Sequence, residues 1–306
     1  MAAGLESAGQ SLTTDIEVLR RWIGHSETLN DRIDGGPARR MRATLDGLAG
    51  NPALTGDDGR AFGAEGQPLP APWHWIYFLP EPARTMLGAD GHPRVGGLLP
   101  PVALPRRMWA GSRLTLHDDL RIGDHARKVS TVRDVQLKEG RSGKLCFVTM
   151  RHEVFVGDAL KITEEQDIVY REEAAPGEKP PAPQQAPEGA AFGRGVEPDP
   201  VLLFRYSALT FNSHRIHYDR PYNENVEGYA GLVVHGPLLA TLLLDSAIEQ
   251  AALRGKRVAE FSFRAMSPLL DTHPFRIEGM DEGDGLKIWA AGHDGRLATM
   301  STSVLA

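Results

Sequence analysis

The stretch VVHGPLLATLLLDSAIEQAALRG, residues 233–255, constrains the fold more than any other part of the chain. Read as a helix, it places Leu238, Leu239, Leu242, Leu243, Ala247 and Ile248 round its circumference, with Ala240 and Leu244 between them. No side is left polar, so this helix has to be buried. Pro237 marks its first turn, because proline has no N–H to lose there and its φ is already helical. A buried helix needs a wrapping, and RVAEFSFRAMSPLL, HPFRIEGMD, GLKIWAAGHD and RLATMSTSVLA follow directly as four strand-like segments with tight turns. A long apolar helix clasped by an antiparallel sheet is an α+β architecture.

The whole chain has 306 residues, room for one large domain or two of about 150. Its clearest boundary is AAPGEKPPAPQQAPEGAA, residues 174–191, with five prolines in 18 residues and no aromatic or β-branched side chain. Such a stretch cannot pack a core and reads as an exposed, extended spacer with few tertiary hydrogen bonds. Two domains follow, 12–173 and 192–306. The first opens with Thr14-Asp15 capping a short amphipathic helix built on Ile16, Leu19 and Ile23. The aromatic run WHWIYF, residues 73–78, suggests a strand or a pocket wall, and SRLTLHDDLRI, KVSTVRDVQLK, KLCFVTMRHEVFV and LKITEEQDIVYRE read as a meander of strands. The second domain begins with an Asp199 cap and Pro200 at the first helical position. The halves echo each other weakly, MWAGSRLTLHDDLRIGD matching FSFRAMSPLLDTHPFRI, so the first is expected to be an eroded copy packed sheet to sheet against the second. It has no counterpart of the buried helix or of the polar loop before it, which places the chemistry in the second half.

Composition removes several function classes. Lys+Arg 34 against Asp+Glu 40 gives a net charge of −6, which argues against a surface built to grip nucleic acid. No run approaches 18 apolar residues and the first 15 have neither a basic nor an apolar leader region, so no membrane partner and a cytoplasmic location are expected. The single cysteine, Cys146, sits in an apolar strand-like run and reads as an inert buried thiol. This excludes disulfide, thiolate-metal and cysteine-nucleophile chemistry.

Three features converge in residues 199–240: the loop FNSHRIHYD (211–219), the approach GLVVHGP (231–237) and the buried helix. In this order they resemble the MaoC-like hydratase/dehydratases of the hot-dog fold. The wording is similar to the two-domain branch called hydroxyacyl-thioester dehydratase type 2, which includes mesaconyl-CoA and itaconyl-CoA hydratases. The resemblance implies a double hot-dog, an acyl-thioester hydratase/dehydratase, no cofactor beyond the CoA thioester substrate, no metal, and room for a homodimer of double hot-dogs. It places His217 at the catalytic histidine and Gly236 at the glycine whose N–H binds the thioester oxygen. His214, Arg215, His235 and Val234, around these two, are the candidate substrate contacts. At the position of the family's catalytic aspartate, five residues before the histidine, stands Asn212.

Chemistry supports a site here independently of the family. Adding water across a double bond conjugated to a thioester needs a base for the water and a stabiliser for the enolate oxygen. His217 can exchange a proton near neutrality, and an N–H at the start of a helix can hold an oxyanion. Asparagine cannot act as a base. Either Asn212 orients the water while His217 moves the proton, or His214 or an acid from elsewhere takes the missing role. Other readings of single residues stay open: an Asx-turn for Asn212, loop bracing for His235, a cap for Asp219, a solvated side chain or a carboxylate or phosphate ligand for Arg215. Two other functions remain, a thioesterase using Asp245 or Glu249 of the helix and a non-catalytic acyl-thioester binder.

Overall fold

The computed structural model describes residues 11–48, 61–94, 97–140, 143–172 and 182–306. Its N-terminal half contains α1 (Ile16–Arg20), β1 (Ser26–Arg32), α2 (Gly35–Thr44), β2 (Arg106–Leu116), β3 (His125–Gly140), β4 (Gly143–Val156) and β5 (Ala159–Arg171). The C-terminal half contains β6 (Phe192–Val196), α3 (Pro200–Leu209), the single turn α4 (Arg220–Tyr222), α5 (Gly236–Ala252), β7 (Val258–Ala265), β8 (Phe275–Glu282), β9 (Gly285–Gly292) and β10 (Leu297–Leu305). Among the described residues no helix is long and apolar enough to cross a membrane.

The helix α5 is as buried as its sequence demands. Eleven of its 17 residues are buried, and it packs on β7, β8, β9 and β10. Period-two alternation does the wrapping: Leu286, Ile288 and Ala290 of β9 face the core around α5, while Trp289 and Ala291 join Leu297 in a separate cluster. Each fully buried leucine of α5 is worth about 1.5–3 kcal/mol. This is a double hot-dog in which the first half lacks a matching helix. Its α2, GGPARRMRAT, buries only Ala38 and Met41.

The halves do not pack face to face, as the sequence echo suggested. They join edge to edge in one sheet of ten strands, ordered β1-β3-β4-β5-β2-β7-β10-β9-β8-β6. The seam is the antiparallel pair β2–β7, from Gly111 opposite Arg264 to Thr115 opposite Glu260. Pairing the two inner edges over these five residue pairs lets one apolar core run through both halves, from Leu114 and Ile162 to Leu243 and Phe261. Trp75, Trp109 and Phe263 meet edge-on or tilted across the seam, with ring centroids 5.0–6.2 Å apart. The buried carboxylate of Glu164 anchors them by accepting from Trp75 Nε1 (2.9 Å) and Ser112 Oγ (2.7 Å).

Two further expectations need correction. WHWIYF is not a strand: Trp73–Ile76 forms a 3-10 turn that drops Trp73 into the core. The proline-rich segment lies partly outside the described residues, but its described part, 182–191, is tied down. Leu297 N–H donates to Gln184 O, Ala186 N–H to Gly295 O and Ala191 N–H to Gly279 O, and Ala186 packs against the Trp289 cluster. Composition predicts a spacer because it carries no core residues, yet extended backbone can find partners on a sheet rim. Cys146 is buried as expected, and burial pushes its thiol up to about 11.

The seam makes a prediction. A Cβ on Gly111 would collide with the Phe263 carbonyl oxygen of β7. Gly111→Val should therefore destabilise the whole protein, by about 1–3 kcal/mol on the usual scale of overpacking. Chemical denaturation reads this directly, and an unchanged midpoint would contradict the edge-to-edge seam.

Candidate active site

The loop after α3 is shaped by its own polar side chains. Asp199 accepts from the N–H groups of Val201 and Leu202 and starts α3, which ends at Thr210. Asn212 Oδ1 then accepts from His214 N–H at 3.0 Å, closing an Asx-turn, and Arg215–His217 forms a 3-10 turn. This turn directs His217 inward, where only 7 % of it remains exposed. Its Nδ1 lies 2.7 Å from Val233 O. A carbonyl only accepts, so Nδ1 carries the proton and Nε2 is left as a bare base.

His235 immediately precedes α5 and stacks on His217, centroids 3.7 Å apart and planes within 17°. Its Nε2 pairs with Ser207 Oγ of α3 at 2.8 Å. His214 meets His217 edge-on at 5.6 Å. Burial is the main force on every one of these imidazoles: it pushes His217 down to about 3, His235 well below its usual value and His214 down as well. All three are uncharged at neutral pH, which is what permits rings to stack at van der Waals distance. Beside them is Gly236, the first residue of α5. Its N–H has no partner within the helix, Pro237 next to it has no N–H at all, and a Cβ on Gly236 would meet nothing within 4 Å. The helix N-terminus thus carries a donor beside a backbone with room for close approach.

The other candidates are placed as follows. Val234 is buried in the core, its N–H bonded to Leu269 O. Arg215 spends its donors within the protein, Nε and Nη2 on Asp219 (3.0 and 2.8 Å) and Nη1 on Ala89 O (3.0 Å), with its plane 4.0 Å from the Tyr222 ring. Asp219 also accepts from Tyr222 N–H and so caps α4. Both therefore build the loop, with three of the five Arg215 N–H donors spent within the protein. The thioesterase candidates lie far from Gly236: Asp245 is nine residues along α5, about 13 Å at the helical rise, and Glu249 is held by Arg194 at 3.3 Å.

Sequence reading missed the residues that the N-terminal half brings to this loop. The segment 88–92, GADGH, lies against it: Arg215 N–H donates to Asp90 O, Ser213 Oγ to Gly91 O, and Ser213 O fills the space where a Gly91 side chain would be. His92 stacks on His214, centroids 3.9 Å apart. Asp90 accepts from the His92 backbone N–H (3.0 Å) and from His92 Nδ1 (3.2 Å). Burial works against the Asp90 charge, but these bonds and the neighbouring imidazoles outweigh it and hold the carboxyl below its usual range. Donor atoms of Asp90, His92 and His214 lie within 4.8 Å of one another, close enough for a cation. The Asp90–His92 bond and the stacked rings already account for that closeness, and the charge of Arg107 on β2 reaches both histidines, so we read the trio as one hydrogen bond continued by a ring stack. Nothing in GADGHP, a run of turn formers 122 residues upstream, signals this contact.

Residues 72–271 match the family model described as hydroxyacyl-thioester dehydratase type 2. The mesaconyl-C(4)-CoA hydratase of Chloroflexus aurantiacus is 46 % identical over 281 residues, 92 % of this chain and 95 % of that protein. The chain belongs to the hydroxyacyl-thioester dehydratase type 2 family. Its fold is shared by a MaoC-like dehydratase from Phytophthora capsici, with a TM-score of 0.67 at 13 % identity over 96 % of this chain and 99 % of that one. A Mycobacterium tuberculosis protein described as a double hot-dog gives 0.52 at 13 % identity over 93 % and 96 %. As a hydroxyacyl-thioester dehydratase type 2 protein, this chain is a hydro-lyase of acyl thioesters.

Neutral buried histidines have a cost that pH exposes. His217 and His235 titrate near 6.5 in the unfolded chain and lower in the fold, so only the unfolded state takes up their protons between those values. Their contribution is complete above about 6.5 and is lost as pH falls. Stability should drop by up to about 2.7 kcal/mol per pH unit for the pair as pH is lowered from 6.5 toward 5. Denaturant midpoints that stay flat between pH 7 and 5 would contradict the neutral assignment.

Proposed function

We propose that this hydro-lyase hydrates a short enoyl-CoA carrying a second carboxylate, of the mesaconyl-CoA or itaconyl-CoA kind, and catalyses the reverse dehydration. The thioester oxygen would sit on Gly236 N–H, and His217 Nε2 would hold the water. As the water oxygen bonds to the β-carbon, His217 takes its proton and the π electrons move onto the thioester as an enolate, which Gly236 N–H and the α5 dipole stabilise. The α-carbon then takes a proton and one water has been added. Asn212, with Oδ1 used by His214, offers its amide N–H groups to the water as donors.

The observation that carries the dicarboxylic reading is Arg107. It is half-buried, its charge reaches His92 and His214, and among the described residues no carboxylate pairs with it. Arg106 next to it is taken by Glu227 at 2.7 Å. A mesaconyl thioester joined at C4 has its free carboxylate on the β-carbon that water attacks. A cation there both anchors the acyl group and offsets the charge that opposes attack. The resemblance to the Chloroflexus hydratase supports the same substrate class.

Two measurements test this, with loss of enone absorbance as readout and the thioester remaining intact. His217→Ala should lower kcat by about 10²–10⁴ with little change in KM. Arg107→Gln should lower kcat/KM for mesaconyl-CoA by about 10- to 100-fold, the value of a charge-assisted hydrogen bond, and leave crotonyl-CoA within a small factor. Equal losses on the two substrates would remove the case for a dicarboxylic acyl group.

A further inference from the structure

The site has a base in His217, but the one carboxylate on its own loop, Asp219, is already paired with Arg215 at 2.8 Å and does not balance the imidazolium that forms when His217 takes a proton. Asn212 stands where the acid would be. Glu227, also near the histidines, is neutralised by Arg106 at 2.7 Å. Asp90 differs: it faces His92, and among the described residues no lysine or arginine pairs with it.

We propose that Asp90 and His92, contributed by the N-terminal half, supply the acid partner that position 212 lacks and act through His214 on His217. They are positioning residues, and the inference rests on the hydratase reading above. The path is a continuous set of contacts. Asp90 Oδ2 holds His92 Nδ1 at 3.2 Å, which fixes the proton on that nitrogen and leaves Nε2 bare. The His92 ring lies on His214 at 3.9 Å, and His214 meets His217 at 5.6 Å. A negative charge at the end of a water-poor row of neutral imidazoles favours a proton anywhere along the row. Acting through space across these ring contacts, the charge makes His217 a stronger base. The geometry is held from the backbone by Asp90 O accepting from Arg215 N–H and by Gly91, where no side chain fits against Ser213. The other groups facing the row are Arg107 of β2, Glu227 of the turn after α4, Tyr222 of α4, and His217 with His235 on the far side. Of the charged ones, Arg107 opposes a proton and Glu227 is already paired.

The test is the pH dependence of hydration by the full chain carrying Asp90→Asn. Asparagine still accepts the His92 backbone N–H, so the turn is kept while the charge is lost. The plateau kcat should fall by about 10- to 100-fold with KM within a small factor, and the acidic limb of the kcat/KM profile should move to lower pH, because a base without its carboxylate is protonated less readily. Asp90→Glu should recover part of the rate and return the limb toward its original place. Should Asp90→Asn fail to fold, His92→Asn removes the ring instead, and the same fall with the same direction of shift is expected. An unchanged profile, or a loss confined to KM, overturns the inference. So does activity that disappears with a chelator and returns with zinc, which would make the trio a metal site. Wild-type protein that turns over no enoyl-CoA would overturn the hydratase reading itself, whereas an active wild type matched by Asp90→Asn overturns this inference alone.

Discussion

An α-helix with leucine on every face can persist in water only inside something, and α5 lies in a core that both halves share. Covering it requires β7 to β10 on one side and α3, whose Tyr206 hydroxyl meets Thr241, on another, and the continuous core requires β2 to pair with β7. The N-terminus of α5 is thereby fixed beside the loop that carries His217. His235 comes with it as the preceding residue, and so does the unpartnered N–H of Gly236. The site is thus a consequence of where one apolar helix has to begin.

The same burial sets the electrostatics. A low-dielectric surrounding disfavours charge on each imidazole, so His217 and His235 stack as neutral rings, each with one nitrogen engaged, and His214 meets His217 edge-on. Carboxylates in this environment survive only with partners. Glu164 keeps its charge, near a pKa of about 2, because His74, Ser112 and Trp75 outweigh its burial. Asp219 and Glu227 have arginines. Among the described residues Asp90 has no cation beside it, only imidazoles and the His92 backbone N–H, which leaves its charge to act on the proton that catalysis moves.

The legible parts of the sequence were those set by local rules. Asp199-Pro200 before an apolar run, four alternating strands with tight turns, and a helix without a polar side gave the C-terminal half, because capping, pleat and helical periodicity act over a few residues. The loop and glycine approach located His217 and Gly236 by their resemblance to a known family. Asn212 as an Asx-turn was one of the alternatives, and the structure shows that bond. Arg215 carried a readable signal, since Asp219 stands four residues on, the spacing of a helical ion pair. What was hidden depends on distance along the chain. Asp90, His92 and Arg107 approach the loop only because β2 joins β7, and alternation along a strand does not say which edge it will pair with. The backbone partners of Gln184 and Ala186 were hidden for the same reason, since composition reports what a segment cannot bury and not what it can bond.

In the proposed mechanism water, base and oxyanion donor meet at the start of α5 under the charge of residues from the other half. A crystal structure with methylsuccinyl-CoA, the saturated counterpart of mesaconyl-CoA that cannot be hydrated, tests it most directly. The account predicts the thioester oxygen about 2.7–3.2 Å from Gly236 N, the β-carbon facing His217 Nε2 and the free carboxylate on Arg107. A complex with the acyl group away from Gly236, or with the β-carbon out of reach of His217, would contradict it.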